Sequence, residues 1–327
     1  MMNEMQQKEP RLVCRVAILR THDDPVHEAV ALQLFRRLSF GNGEPSIYQP
    51  VVFQAAFRKD VVAAQLEKMV EQKCRILVVF GQVLSSIVFE IYREVGELMP
   101  TIYSGVAHPI ESGFVDSFGW PTGNHAVITA KHPCSQEIAK KVHVFKKCIR
   151  RILLPYCDHG PIDSTAERAR ILKKYLEDDG FEVEAHKVAS QYEVIQLIAA
   201  HLKNVGMVIT LEGGCGAGAA EAISLCWRNK VVFCSGYGKQ ALECGAPCVY
   251  GGDYGLLADD LYEAVEMFCE QGISFRKIPL KVSEYERHFI VNEPLLLQMG
   301  VPQEIIEDLR ESDDVEIVYW WIDKPRC

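Results

Sequence analysis

The feature that most constrains the fold is a pattern of apolar segments that occurs twice along the chain. Three short segments of the first half each have a counterpart in the second half: residues 15–19 and 151–155, residues 76–81 and 207–213, and residues 100–105 and 231–236. The second and third segments start about 24 residues apart in both halves, which leaves room for one crossover helix between parallel strands. The sequence therefore predicts two similar lobes within one chain.

Each lobe is predicted to contain a parallel sheet. The apolar segments are continuous runs rather than alternating patterns, and residues between them repeat at helical spacing, as in 61–70. Continuous apolar strands are typical of parallel sheets that helices cover on both faces. The predicted fold class is α/β, with two doubly wound, Rossmann-like lobes.

The chain is expected to cross between the lobes three times, near residues 123–129, 250–254 and 281–292. The expected boundaries are residues 11–125 plus 253–282 for the N-terminal lobe, residues 126–252 plus 288–310 for the C-terminal lobe, and residues 311–327 for a tail. The tail begins acidic and ends apolar, so it is either a covering strand or a contact for a partner.

Composition excludes some classes of partner and location. The 327 residues carry a net charge of −9, whereas nucleic-acid binding requires a basic surface. No apolar run is long enough to suggest a membrane span, and the polar N-terminus lacks the apolar core of a signal peptide. The twelve cysteines show no zinc-type spacing and are interpreted as reduced thiols. These features predict a cytoplasmic protein as the chain stands, or an extracytoplasmic one if a leader was removed.

A glycine-rich turn suggests a ligand site. It follows the apolar run 207–211, has glycines at 213, 214, 216 and 218, and leads into a helical pattern. Backbone N–H groups at such a helix start favour an anion. Residues 214–219 also fit the dinucleotide pattern G-x-G-x-x-A, but the next apolar run, 231–235, lacks the carboxylate that would hold a ribose. A small anionic or polar ligand is therefore favoured over NAD or a purely structural turn, and no cofactor or metal is expected.

Several motifs in their order resemble the ABC-transporter substrate-binding proteins of the tryptophan/tyrosine-binding type, over residues 11–305. The motifs are Pro100-Thr-Ile-Tyr-Ser-Gly-Val-Ala-His-Pro-Ile-Glu-Ser-Gly113, Gly123-Asn124, the strand opening at 151, Gly245-Ala246 with Tyr250-Gly-Gly-Asp-Tyr254, and Asn292 with Met299-Gly-Val-Pro302. The resemblance implies a type I periplasmic-binding-protein fold with a small solute, such as an aromatic amino acid, between the lobes. It also implies the membrane subunits of an ABC transporter as a partner, and no catalysis.

The candidate binding residues follow the predicted strands, because ligands of open α/β sheets lie beyond the carboxyl ends of the strands. They are Gly81, Gln82, Ser85, Ser86, Ser104, Gly105 and His108 in the first lobe, and Tyr156, Glu212, Gly213, Gly214, Ser235, Tyr237 and Asp253 in the second. The turns at 81–86 and 213–216 are expected to meet a carboxylate. Glu212 is expected either to contact an ammonium group of the ligand or to face solvent. Tyr156, Tyr237 and Tyr254 are expected either to contact a flat side group of the ligand or to pack within the protein.

Two other classes of function stay open at this point. A cytosolic sensor could keep the binding fold without transport. A two-lobe enzyme could be NAD-dependent or a cofactor-free racemase, with Cys215 and Cys234 as candidate thiolates. Both of these cysteines fall in the second lobe, whereas a racemase needs one on each side of the substrate carbon, and this disfavours the racemase.

Overall fold

The computed structural model describes residues 13–21, 25–40, 46–106, 109–130, 134–157, 165–211, 220–236, 238–250, 254–283, 289–312 and 315–319. The chain divides into two compact units. The first, called the first lobe below, comprises Met1–His22, His27–Thr129 and Leu257–Lys281; the second lobe comprises Asp23–Val26, Ala130–Leu256 and Val282–Cys327.

Strands and helices alternate along most of the chain. Their order is β1 (Cys14–Arg20), α1 (Pro25–Phe40), β2 (Tyr48–Gln54), α2 (Lys59–Glu71), β3 (Ile76–Phe80), α3 (Gln82–Val95), β4 (Thr101–Ser104), β5 (His125–Ala130), α4 (Ser135–Val142), β6 (Arg151–Cys157), α5 (Thr165–Asp178), β7 (Glu182–Val188), α6 (Gln191–His201), β8 (Met207–Thr210), α7 (Ala220–Arg228), β9 (Val232–Ser235), α8 (Gly238–Glu243), β10 (Cys248–Tyr250), α9 (Tyr254–Cys269), β11 (Lys281–Ser283), β12 (Phe289–Asn292), α10 (Glu293–Gln298), α11 (Gln303–Arg310) and β13 (Val315–Val318). Short 3₁₀ helices cover His143–Lys147 and Phe275–Lys277.

Each lobe is built on one sheet. Among the described strands, six form the sheet of the first lobe, in the order β11-β5-β4-β3-β1-β2, and seven form that of the second, in the order β13-β12-β10-β9-β8-β6-β7. The described pairings of β1 to β5 with one another are parallel, as are those of β6 to β10. The predicted α/β class with two parallel-sheet lobes is confirmed.

The continuous apolar patterns have a direct cause in burial. Val16 to Leu19 of β1 and Ile76 to Phe80 of β3 are at most 1% exposed, because helices cover both faces of the sheet. The repeat is also present in the structure. The starts of β3 and β4 are as far apart along the chain as the starts of β8 and β9.

The second sheet departs from the expected parallel pattern at one strand. β12 pairs antiparallel with β10, with Val291 opposite Cys248. The short apolar run of β12 carries no signal of direction, because direction depends on the connection that precedes the strand. β13 then pairs parallel with β12, so residues 315–318 of the predicted tail form an edge strand of the sheet.

One prediction about the cysteines is wrong. Cys157, at the end of β6, is disulfide-bonded. The nine other cysteines in the described part of the chain are free thiols. The prediction of a cytoplasmic location rested in part on the cysteines being reduced. The disulfide removes that support, because disulfides are typical of oxidising compartments.

The sequence predicted no membrane-spanning segment, and the helices are the elements that test this prediction. Among the described helices, none combines the length and the apolar character that crossing a bilayer requires.

Candidate functional site

The carboxyl ends of β3 and β4 bring two glycines together in the first lobe. The strands are in register with Phe80 opposite Ser104. The Gly81 N–H donates a hydrogen bond to the Ser104 carbonyl oxygen at 2.8 Å. Gly81 and Gly105, which follow the two strands, are therefore neighbours at the edge of the sheet where a ligand site was predicted from the sequence.

Both glycines pack against His27 in the first turn of α1. Gly81 has a φ of +90°, and a Cβ added there would lie 2.8 Å from His27 Cε1. Gly105 has a φ of +72°, and a Cβ there would lie 3.0 Å from His27 Nε2. The imidazole thus occupies the space that side chains at these two positions would need. It also lies beside the Phe80 ring, with centroids 6.1 Å apart.

The N-cap residue of α3 supplies no capping side chain. Gly81 is the N-cap residue, and the first turn contains no acidic residue. A helix start presents backbone N–H groups and a partial positive charge, so it is suited to a carboxylate. The Gln82 side chain connects two serines beside this turn. Its Nε2 donates to the hydroxyls of Ser86 at 3.3 Å and Ser112 at 3.4 Å.

Two serines beside this turn are completely buried. Ser85 and Ser104 are 0% exposed. Their hydroxyl oxygens have no hydrogen-bond partner among the described residues. A buried polar group without a hydrogen-bond partner destabilises the folded state. The two hydroxyls therefore make this turn more polar than packing alone requires.

The positively charged side chain of Arg20 lies at the same edge of the sheet. Arg20 ends β1, the neighbour of β3 in the sheet. Its Nη2 is 2.9 Å from Glu28 Oε1, and its Nη1 donates to the Thr21 carbonyl at 3.1 Å. Glu28 holds the guanidinium in place and offsets its charge. Neither His27 nor Arg20 was predicted from the sequence, because only the folded sheet places the first turn of α1 and the end of β1 beside Gly81.

In the second lobe, two of the predicted residues are described. Tyr156 is partly buried, and its side chain packs against the hydrophobic core of that lobe. Ser235 is fully buried at the end of β9, opposite Thr210. The other predicted residues lie outside the described residues: His108, Glu212, Gly213, Gly214, Tyr237 and Asp253. They stay predictions.

The cysteine chemistry considered for a racemase has little support at Cys234. The side chain is fully buried in β9, and burial raises the pKa of its thiol well above the usual value. A raised pKa keeps the sulfur protonated, whereas a nucleophile or base needs the thiolate. Cys215 lies outside the described residues.

A cavity of about 400 Å³ lies elsewhere in the first lobe. It is lined by Phe89, Tyr92, Arg93, Glu97, Gly113, Thr122 and Gly123. These residues include the C-terminal half of α3, whereas the Gly81 turn stands at its N-terminal end. The cavity is therefore separate from the predicted site.

His125 is buried next to this cavity and makes stability depend on pH. Its Nε2–H donates to the Phe114 carbonyl oxygen at 2.7 Å, and its Nδ1 lies 3.9 Å from Glu97 Oε1. Burial lowers the pKa of His125, and Arg276 adds to this, while the hydrogen bond to Phe114 and the Glu97 carboxylate oppose it.

We expect the protein to lose stability as the pH falls from 7 to 5, in part because of His125. Its pKa is about 6.5 in the unfolded chain and lower in the folded one, so the unfolded chain binds more protons in this range. Urea unfolding at several pH values should show a smaller loss for His125→Gln than for the wild type. Equal losses in the two proteins would contradict this assignment.

No protein-family model matches the sequence, and no curated protein does either. Solved structures do match over nearly the whole chain. An ABC domain in complex with L-Trp from Streptococcus pneumonia has a TM-score of 0.73 at 14% identity, over 93% of this chain and 99% of that chain. A ligand-free, open substrate-binding protein with adhesive properties from Clostridium difficile has a TM-score of 0.59 at 17% identity, over 94% of this chain and 100% of that chain.

The fold is that of the type I periplasmic binding proteins. A periplasmic-binding ribose operon repressor protein from Lactobacillus acidophilus shares it as well, with a TM-score of 0.55 at 11% identity over 82% of this chain and 94% of that chain. The fold implied by the resemblance is thus confirmed. These structural neighbours include a substrate-binding protein and a repressor. Identities this low establish the fold but do not identify the ligand, which has to be inferred from the chemistry of the site.

Proposed function

We propose that this type I periplasmic-binding-protein fold binds a small solute that carries a carboxylate. The observation that carries the proposal is the Gly81 turn. It combines a helix start whose N-cap residue is a glycine with two buried serine hydroxyls that lack partners among the described residues, at the carboxyl end of β3 and β4. Backbone N–H groups and hydroxyls can bind a carboxylate without a buried cationic side chain.

The ligand class we propose is an amino acid with an aromatic side chain. Two lines of support agree: the resemblance of residues 100–113 and the later motifs to the tryptophan/tyrosine-binding proteins, and a structural neighbour that contains L-Trp. The proposal includes the second-lobe residues predicted from sequence. Glu212 would bind the ammonium group, the turn at 213–216 would contact the carboxylate, and Tyr156, Tyr237 and Tyr254 would contact the ring.

The proposed role is that of the substrate-binding component of an ABC importer, without catalysis. Solute-binding proteins among the structural neighbours support this role. A ligand sensor that acts without transport is the second candidate, and the repressor among the neighbours favours it. Both roles need the same ligand-binding step, so ligand binding is the property to test first.

A thermal-shift screen tests the proposal. We expect L-Trp, L-Tyr or L-Phe to raise Tm, because a ligand at a hundredfold excess over Kd stabilises the folded state by about 2.7 kcal/mol. Tryptamine, which lacks the carboxylate, is the matched control and should give a much smaller shift than L-Trp. Nucleosides and nicotinamide cofactors complete the panel.

Two outcomes of the screen would contradict the proposal. A shift with NAD alone would favour the dinucleotide interpretation of residues 214–219. Equal shifts with L-Trp and tryptamine would show that the carboxylate is not recognised.

A further inference from the structure

Three side chains that bind metal ions in other proteins converge on the surface of the second lobe. Glu184 and His186 are two residues apart on β7, so both project from the same face of this edge strand. His201 is the last residue of α6. Its ring lies beside that of His186, with centroids 5.3 Å apart and an interplanar angle of 55°.

The distances between the three groups fit a single metal ion. Glu184 Oε2 is 3.3 Å from His201 Nε2 and 3.8 Å from His186 Nε2. One ligand atom from each residue lies within 4.8 Å of the other two. Zinc bound tetrahedrally at 2.0–2.2 Å separates its nitrogen and oxygen ligands by about 3.3–3.5 Å. Small side-chain adjustments would therefore place all three atoms around one ion.

The hydrogen bonding of His201 prepares it as a ligand. Its Nδ1 lies 2.8 Å from the Leu197 carbonyl oxygen. A carbonyl oxygen only accepts hydrogen bonds, so Nδ1 carries the proton and the neutral ring leaves a lone pair on Nε2, the atom near Glu184. Metal-binding histidines commonly show this arrangement, in which the second ring nitrogen donates to a carbonyl or a carboxylate.

The site is open on one side. The exposed fractions of the side chains are 45% for Glu184, 41% for His186 and 23% for His201. Three protein ligands leave a fourth tetrahedral position to water or to a group from another molecule. This openness distinguishes the cluster from a closed structural site.

We propose that Glu184, His186 and His201 form a binding site for Zn²⁺ or a similar divalent transition metal, which would join the end of α6 to the edge strand β7. Two histidines and one glutamate are a ligand set that zinc uses in proteins. No metal was expected from the sequence, because its cysteines show no zinc-type spacing. The three ligands span 18 positions and meet only when α6 packs against β7.

Zinc titration by calorimetry on the full, tag-free chain tests the proposal after treatment with a chelator. We expect one saturable site per chain. Glu184→Gln, His186→Gln and His201→Gln should each weaken Zn²⁺ binding by about tenfold or more. His143→Gln is the matched control, because His143 is another exposed histidine beside a carboxylate, 3.3 Å from Asp179, and belongs to no three-residue ligand cluster among the described residues. It should bind Zn²⁺ as the wild type does.

Two further readouts separate coordination from nonspecific binding. Co²⁺ should give visible absorption bands of a four-coordinate site in the wild type, and these bands should be lost in His201→Gln. Zn²⁺ should raise the Tm of the wild type and leave the Tm of His201→Gln unchanged. The proposal is overturned if the wild type shows no saturable binding, or if the affinities of the His186→Gln and His201→Gln variants equal that of the wild type.

Discussion

The Gly81→Ala variant is expected to be less stable than the wild type by about 2–5 kcal/mol. Gly81 has a φ of +90° and a ψ of 149°, a region that residues with a Cβ rarely adopt. The new Cβ would also lie 2.8 Å from His27 Cε1, closer than real Cβ contacts, so the imidazole or the turn has to move. Urea unfolding of the two proteins measures the difference.

Gly96, at the other end of α3, provides a matched control. Its φ of +88° and ψ of 160° are nearly those of Gly81, but a Cβ there would have no atom of the described residues within 4 Å. Gly96→Ala should therefore show only the cost of the backbone conformation, about 1–3 kcal/mol. The excess cost at Gly81 should disappear when His27 is also replaced by alanine. A Gly81→Ala variant no less stable than Gly96→Ala would show that His27 does not shape this turn.

The Tyr103→Ala variant should lose about 3–5 kcal/mol of stability, as expected for removal of a buried aromatic ring. Tyr103 is fully buried at the centre of β4. Its ring makes edge contacts with Phe89, Phe114 and His125, with centroids 6.0, 4.8 and 5.2 Å apart. The lost ring would leave a cavity bordered by three rings that cannot all move to fill it.

The Tyr103→Phe variant separates the ring from its hydroxyl. The Tyr103 hydroxyl has no hydrogen-bond partner among the described residues. A buried hydroxyl without a partner costs about 1–3 kcal/mol, so Tyr103→Phe should be at least as stable as the wild type. Thermal and urea unfolding of both variants give the comparison. A clear loss of stability in Tyr103→Phe would show that the hydroxyl is satisfied in solution.

The sequence predicted the parts of the fold that depend on local pattern. The runs at 76–80 and 207–210 are continuous because their strands are buried on both faces, and this identified the parallel sheets. The equal spacing to the following strands identified the duplication. The antiparallel direction of β12 was missed, because its three apolar residues carry no information about which way the strand runs.

The candidate site was predictable only in part. Gly81 and Ser104 follow strand signals, so their place at the sheet edge could be inferred. The role of His27 depends on the packing of α1 over that edge, and no spacing in the sequence indicates it. The disulfide at Cys157 and the Glu184, His186 and His201 cluster were missed for a similar reason, since they depend on which elements fold against each other.

The Gly81 turn is proposed to bind the carboxylate of a small solute. A crystal structure of the chain with the amino acid that raises Tm tests it most directly. We expect carboxylate density within hydrogen-bond distance of backbone N–H groups at the start of α3, beside Ser104. Density instead in the cavity lined by Phe89 and Tyr92, at the opposite end of α3, would contradict it.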